Sequence, residues 1–227
     1  GNLVDLLPLI KQEHKEADFY LERYKEIYKT LGSLCMLKDD EVSFVGIDSQ
    51  LIHKEAWEGC SFPFQRLPKG ILDEIREKSL MLACYYYGKG VRGQINIDWA
   101  IRKKDGDLKL RALECNSRYN GFGLCLRLAS TVYGINRRDL HFYMDTKMRF
   151  APKWTTQKLI DELDKINAAI PFKGGVVLTS GVEDGKAGFC FIATNAQDLA
   201  TLRKEFKRHI TGLTERPTRD WEYPLLV

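Results

Sequence analysis

Residues 90–123 read GVRGQINIDWAIRKKDGDLKLRALECNSRYNGFG, and their pattern decides the fold. Ile95, Ile97, Trp99 and Ile101 alternate with Asn96, Asp98, Ala100 and Arg102, which predicts a strand with one polar face. Asp105-Gly106, inside the run KKDGD, supplies the positive-φ residues of a tight hairpin turn. The returning arm runs from Leu108 to Asn116, so a short turn sets Asp98 opposite Leu113 or Glu114. In the second register two carboxylates face each other, which is unfavourable unless something positive sits between them. Alternation puts Glu114, Asn116 and Arg118 on one side. Two carboxylates and an amide oxygen suit a hard cation such as Mg²⁺, with Arg118 as a fork for a phosphate or carboxylate oxygen. A solvent-facing hairpin with a wet polar face is the plain alternative. Leu113, Cys115 and the apolar run 122–129 argue instead for a buried second arm, where carboxylates need partners. A cation site is therefore expected.

Upstream, residues 8–30 carry Leu9, Ile10, Ala17, Tyr20, Leu21, Tyr24, Ile27 and Tyr28 at helical spacing, with Gly32 as a C-terminal cap. Glu41–Ile47 reads as a strand, with Asp48-Ser49 suggesting a turn or bulge after it, and 53–68 reads mostly as loop. Pro68–Tyr87 predicts a helix with the stripe Ile71, Ile75, Leu82 and Tyr86. Gly90 and Gly93 permit close backbone approach, and Arg92 between them is a weak candidate for a substrate phosphate.

Downstream, Asn120-Gly121-Phe122-Gly123 leads into a helix over 124–133, whose first N–H groups suit an anion. Residues 136–150 are basic and aromatic, and Asp139 and Asp145 dilute their charge, so a solvated helix face is preferred to a nucleic-acid patch. Thr155–Ala169 predicts a helix, 174–180 and 188–194 two strands joined through Asp184-Gly185, and Asn195 the N-cap of a final helix reaching about residue 210. Alternating hairpins and helices indicate α+β with an antiparallel sheet.

The 227 residues suffice for one good core, and 29% charged residues with a net charge of +4 neither demand nor favour nucleic acid. No apolar run reaches the roughly 20 residues of a membrane span. Six scattered cysteines without a C-x-x-C pair, and four histidines that do not cluster, give neither a disulfide framework nor a metal-ligand spacing. A reducing cytoplasmic compartment is the expectation.

The pattern D-(15 residues)-E-x-N-x-R, after a G-x-x-G segment and a helix, resembles the ATP-grasp superfamily of carboxylate–amine ligases. The resemblance extends to the Val42–Ile52 strand, the loop Cys60-Ser61-Phe62-Pro63 and the helix that follows, and residues 174–210 resemble a closing strand pair and helix of peptide-ligase members. It implies that Asp98, Glu114 and Asn116 hold the Mg²⁺ (or Mn²⁺) that bridges ATP phosphates, and that Arg118 contacts the acyl-phosphate or its carboxylate. It further implies an acyl-phosphate mechanism with a small carboxylate and an amine as substrates. Asn120, Gly121 and Gly123 are implied as weak acceptor-side candidates. Asn96 stands where some such ligases carry Arg. Asn2–Leu34 supplies no strand pair and no glycine-rich phosphate loop, so the chain resembles the C-terminal part of the fold, with an N-terminal half missing or supplied by another chain. Gly1 in place of Met fits a trimmed chain. On this reading residues 1–32 form an N-terminal helical arm and 33–150 the metal and nucleotide subdomain. Residues 151–215 form a terminal α/β element of the same domain, and 216–227 a tail. The alternative is a non-catalytic interaction module derived from such a ligase.

Overall fold

The computed structural model describes residues 27–53, 56–64, 67–104 and 106–210. The expected helix over 8–30 falls largely outside them. Its last residues do not continue a helix: Lys29–Leu37 is strand β1, and Gly32 lies inside it. β1 is central and covered on both sides, with Leu31, Leu34, Cys35 and Leu37 all buried, so its apolar residues follow no two-residue alternation. That is why its sequence does not announce a strand.

β1 pairs with Val42–His53 (β2), which runs straight through Asp48 and Ser49 where a turn was expected. The expected loop over 53–68 contains a third strand, Ala56–Phe62 (β3). Helix α1 (Lys69–Gly88) then leads to the hairpin of β4 (Gly93–Lys104) and β5 (Asp107–Asn116). α2 (Gly121–Val132) follows, then a short 3₁₀ turn at Arg137–Asp139. His141–Arg149 is strand β6, not the expected helix face, because Phe142 and Met144 point to one side of the sheet and Tyr143 to the other. α3 (Thr156–Ala169), β7 (Gly174–Glu183), β8 (Lys186–Ala193) and α4 (Ala196–His209) complete the described chain. Thr155 and Asn195 cap α3 and α4 through their side chains.

All eight strands form one antiparallel sheet in the order β5-β4-β1-β2-β3-β6-β8-β7. Register divides its residues between two faces. On one, α1 buries Leu31, Ile47, Ile97, Trp99 and Ile101, and further along α3 and α4 bury Tyr143, Val176, Phe189 and Phe191. On the other, α2 packs Phe122, Cys125 and Ala129 onto Leu34, Cys60, Phe62, Phe142, Met144, Cys190 and Ile192. The α1 layer is pinned by a buried polar link. Trp99 Nε1 donates to Ser33 Oγ at 2.8 Å, and Ser33 Oγ lies 2.7 Å from Ser79 Oγ on α1. A buried indole N–H needs such a partner.

Because α2 covers only part of its face, the stretch of that face where β2, β1, β4 and β5 run side by side carries no helix among the described residues. β5 is an edge strand and mostly exposed, contrary to the expectation of a buried second arm; Leu113 is 51% exposed.

The join between β3 and β6 depends on Gly59, where a Cβ would overlap the Met144 carbonyl oxygen and stand 3.1 Å from Asp145 Cα. Gly59→Ala should lower stability by about 1–3 kcal/mol in urea unfolding, since backbone cannot step aside as a side chain can. Gly70→Ala, which meets open space in α1, should leave stability unchanged or raise it by up to about 1 kcal/mol. Equal effects of the two substitutions would contradict this packing.

Candidate functional site

The part of that face with no helix among the described residues is where the polar residues gather. Asp48 on β2, Gly32 on β1, Asp98 on β4 and Glu114 on β5 form one row of cross-strand partners. In a neighbouring row Leu34 pairs with Asn96 and Asn96 with Asn116. Both registers left open by the hairpin's sequence are used. Asp98 pairs with Glu114, yet the next residue, Trp99, pairs with Ala112, so Leu113 is left over in a β-bulge.

Asp98 is the centre of the arrangement and is half-buried. Its Oδ1 accepts from Gln50 Nε2 at 2.6 Å and from Asn96 Nδ2 at 2.7 Å, and its Oδ2 accepts from Asn116 Nδ2 at 3.1 Å. Burial raises its pKa; the amide hydrogen bonds from Asn96, Gln50 and Asn116 act the other way, and the charge of Glu114 adds to the rise. Asp48, 3% exposed, is pushed up to about 7, first by burial and then by the charge of Asp98. Gly32 makes room for the Asp48 carboxyl and the Asn96 amide: a Cβ there would overlap Asp48 Oδ1 and come within 3.3 Å of Asn96 Oδ1.

The remaining candidates lie further out. Arg118 is exposed in the segment after β5, where strand alternation no longer sets its direction, and it has no hydrogen bond or ion pair among the described residues. Asn120 caps α2, its Oδ1 accepting from Gly123 N at 2.9 Å. Gly121 gives way to the Trp57 ring, which a Cβ would meet at 2.7 Å, and Gly123 to the side chain of Gln94. Both glycines thus have a packing reason to be glycine. Arg92 is not brought to the site. It stacks 3.9 Å over the Tyr87 ring, donates to Tyr87 O and Val91 O, and pairs with Asp39 at 3.6 Å. It precedes Gly93, five residues before Asp98, or roughly 17 Å along the strand.

Asp48 and Gln50 belong to the site although the hairpin motif does not include them. Their signal was two polar side chains two residues apart, which in a strand lie on one face, although Ser49 between them blurs the pattern. Among the described residues no three His, Cys, Asp or Glu side chains form a metal-holding group. That does not disqualify a Mg²⁺ site, since Mg²⁺ binds through one or two carboxylates and fills its shell with waters and phosphate oxygens. The donors here are hard oxygens, and Asp98 and Glu114 oppose each other as like charges, which a cation would relieve.

Comparison of the whole fold with solved structures is decisive. The chain superposes on N5-carboxyaminoimidazole synthase from Aspergillus clavatus, in complex with ADP and 5-aminoimidazole ribonucleotide, with a TM-score of 0.58 and 13% identity over 92% of this chain and 57% of that one. It also superposes on a complex of biotin carboxylase from Campylobacter jejuni with β,γ-ATP (0.57; 14% identity; 85% of this chain and 48% of that). A third match is N5-carboxyaminoimidazole ribonucleotide synthetase from Thermus thermophilus (0.52; 11% identity; 85% and 54%). The fold is that of the ATP-grasp enzymes. This chain spans about half the length of the ATP-grasp structures it matches. No family model and no curated protein matches its sequence. No helix among the described residues is long and apolar enough to cross a membrane.

The opposition of the two carboxylates has a measurable consequence. Glu114→Gln removes the like charge across from Asp98, so the Asp98 pKa should fall in a ¹³C carboxyl NMR titration. An Asp98 titration that does not move would place Glu114 too far away to share a cation with it.

Proposed function

We propose that this chain carries the metal- and phosphate-facing part of an ATP-dependent carboxylate–amine ligase. The observation that carries the reading is the pairing of Asp98 with Glu114 on an ATP-grasp sheet, with Asn116 beside them. On this reading Asp98, Glu114 and Asn116 hold Mg²⁺ (or Mn²⁺), which would neutralise charge on the phosphoryl oxygens of ATP. The exposed guanidinium of Arg118 has no competing partner among the described residues, which supports a role at an anionic oxygen of the activated carboxylate. Gln50 and Asn96 keep Asp98 ionised and aimed, because an amide N–H on each favours the charged form. Strands β1 to β6 then carry the metal and nucleotide site, β7 and β8 extend the same sheet, and the grip on the adenine half of the nucleotide lies outside the described residues.

Asn120, Gly121 and Gly123 would border the acceptor amine at the start of α2, with Asn120 restricted by its capping bond. Arg92 has no part in this assignment. The rival reading, an interaction module that keeps the ligase fold without turnover, draws on the half-length match and predicts no metal-dependent nucleotide binding.

Calorimetric titration of Mg·ATP separates the two. Binding that requires Mg²⁺ and is weakened by on the order of 10–100-fold in Glu114→Ala is the expected result. Arg118→Ala should retain nucleotide affinity and lose formation of the acyl-phosphate. Nucleotide affinity in Glu114→Ala equal to that of the unaltered protein would remove the hairpin from the site.

A further inference from the structure

Among the described residues, two buried oxygens beside the site have no hydrogen-bond partner. Asp48 Oδ1 and Asn96 Oδ1 are both fully enclosed, in residues 3% and 2% exposed. They converge on one place, the space a Cβ on Gly32 would occupy, where the first would be overlapped and the second approached to 3.3 Å. The orientation of the Asn96 amide is fixed independently. Its Nδ2 donates to Asp98 Oδ1 at 2.7 Å, and turning the amide over would set an oxygen against that carboxylate. Asn96 Oδ1 is therefore the atom that shares the space beside Gly32 with Asp48 Oδ1, and two buried acceptors with no donor between them are costly.

We propose that Asp48 is a positioning residue that carries a proton on Oδ1 and donates it to Asn96 Oδ1, locking the Asn96 amide onto Asp98. One hydrogen satisfies both orphaned oxygens, and the chain Asp48 → Asn96 → Asp98 then runs donor to acceptor without a break. The surroundings agree. The groups acting on the Asp48 carboxyl are Asp98 from β4, the Cys60 thiol from β3, and the backbone N–H groups of Gly32 and of Asp48 itself. None is cationic; burial and the Asp98 charge favour the neutral acid and outweigh the Asp48 N–H, the Cys60 thiol and the Gly32 N–H, whose hydrogen bonds favour the charged form. Asp48 thereby acts on the cation site without touching the ion. The inference rests on the cation-site reading above for its consequence, but not for the hydrogen bond itself.

NMR at pH 6 reads the hydrogen bond without metal or nucleotide. The Asp48 carboxyl ¹³C shift should be that of a protonated acid, and the Asn96 carboxamide protons should exchange slowly with water. Asp48→Asn, which keeps an N–H donor in the same shape, should preserve slow exchange at Asn96, whereas Asp48→Ala should release it. In Mg·ATP calorimetry Asp48→Ala should weaken binding by on the order of 10-fold or more, with Asp48→Asn restoring most of it. An ionised Asp48 at pH 6, or an Asp48→Asn variant as weak as Asp48→Ala, would overturn the proposal. The first measurement uses the unaltered protein, so a variant that fails to fold does not spoil it. Absence of Mg·ATP binding by the unaltered protein, with Asp48 protonated and Asn96 locked, would overturn the cation-site reading and support the hydrogen bond.

Discussion

Three amide N–H donors, from Gln50, Asn96 and Asn116, converge on the Asp98 carboxylate from three different strands. A half-buried carboxylate stays charged only when such donors replace the water it loses. β4 must therefore sit at a fixed register against β5, and β1 must bring β2 close enough for Gln50 to reach across it. Gly32 permits that approach, because its missing side chain leaves the space over β1 to its neighbours. The strand order, the bulge and the glycine all answer to the one requirement of enclosing Asp98.

The two faces of the sheet divide the work accordingly. The face under α1, α3 and α4 is aromatic and aliphatic and supplies most of the burial, with the Ser33, Ser79 and Trp99 link as a polar seam across β1, β4 and α1. The other face is packed by α2 only as far as Leu34, Cys60 and Phe62, and gives way to carboxylates and amides beyond them. Trp99 and Asp98 are consecutive and point opposite ways. Anchoring the Trp99 indole from behind therefore fixes the direction of the Asp98 side chain in front.

Much of this was legible in the sequence. The β4–β5 hairpin alternates cleanly because one face is apolar and the other polar, and its Asp-Gly turn is unambiguous. The capped helices and the β7–β8 pair declare themselves for similar reasons. β1 and β3 did not, because a strand buried on both faces loses its alternation, and β6 was obscured by its charged residues. Alternation put Glu114 and Asn116 on one side but left Asp98 opposite Leu113 or Glu114, and the bulge at Leu113 is what brings Asp98 and Glu114 together. Asp48 and Gln50 lie about 50 residues away in the chain and meet Asp98 only through β1. Arg92 looked available beside two glycines, but its stacking on Tyr87 and its bond to Asp39 are tertiary facts.

The bulge at Leu113 has one more consequence. β5 ends the sheet on its side among the described residues, so its outer backbone groups are open to pairing with a strand of another molecule. Such pairing needs a regular ladder and a flat, uncharged edge. The bulge interrupts the ladder, while Lys109, Arg111 and Glu114 place charge along it. The same extra residue that turns Glu114 toward Asp98 thus protects the molecule from edge-to-edge aggregation.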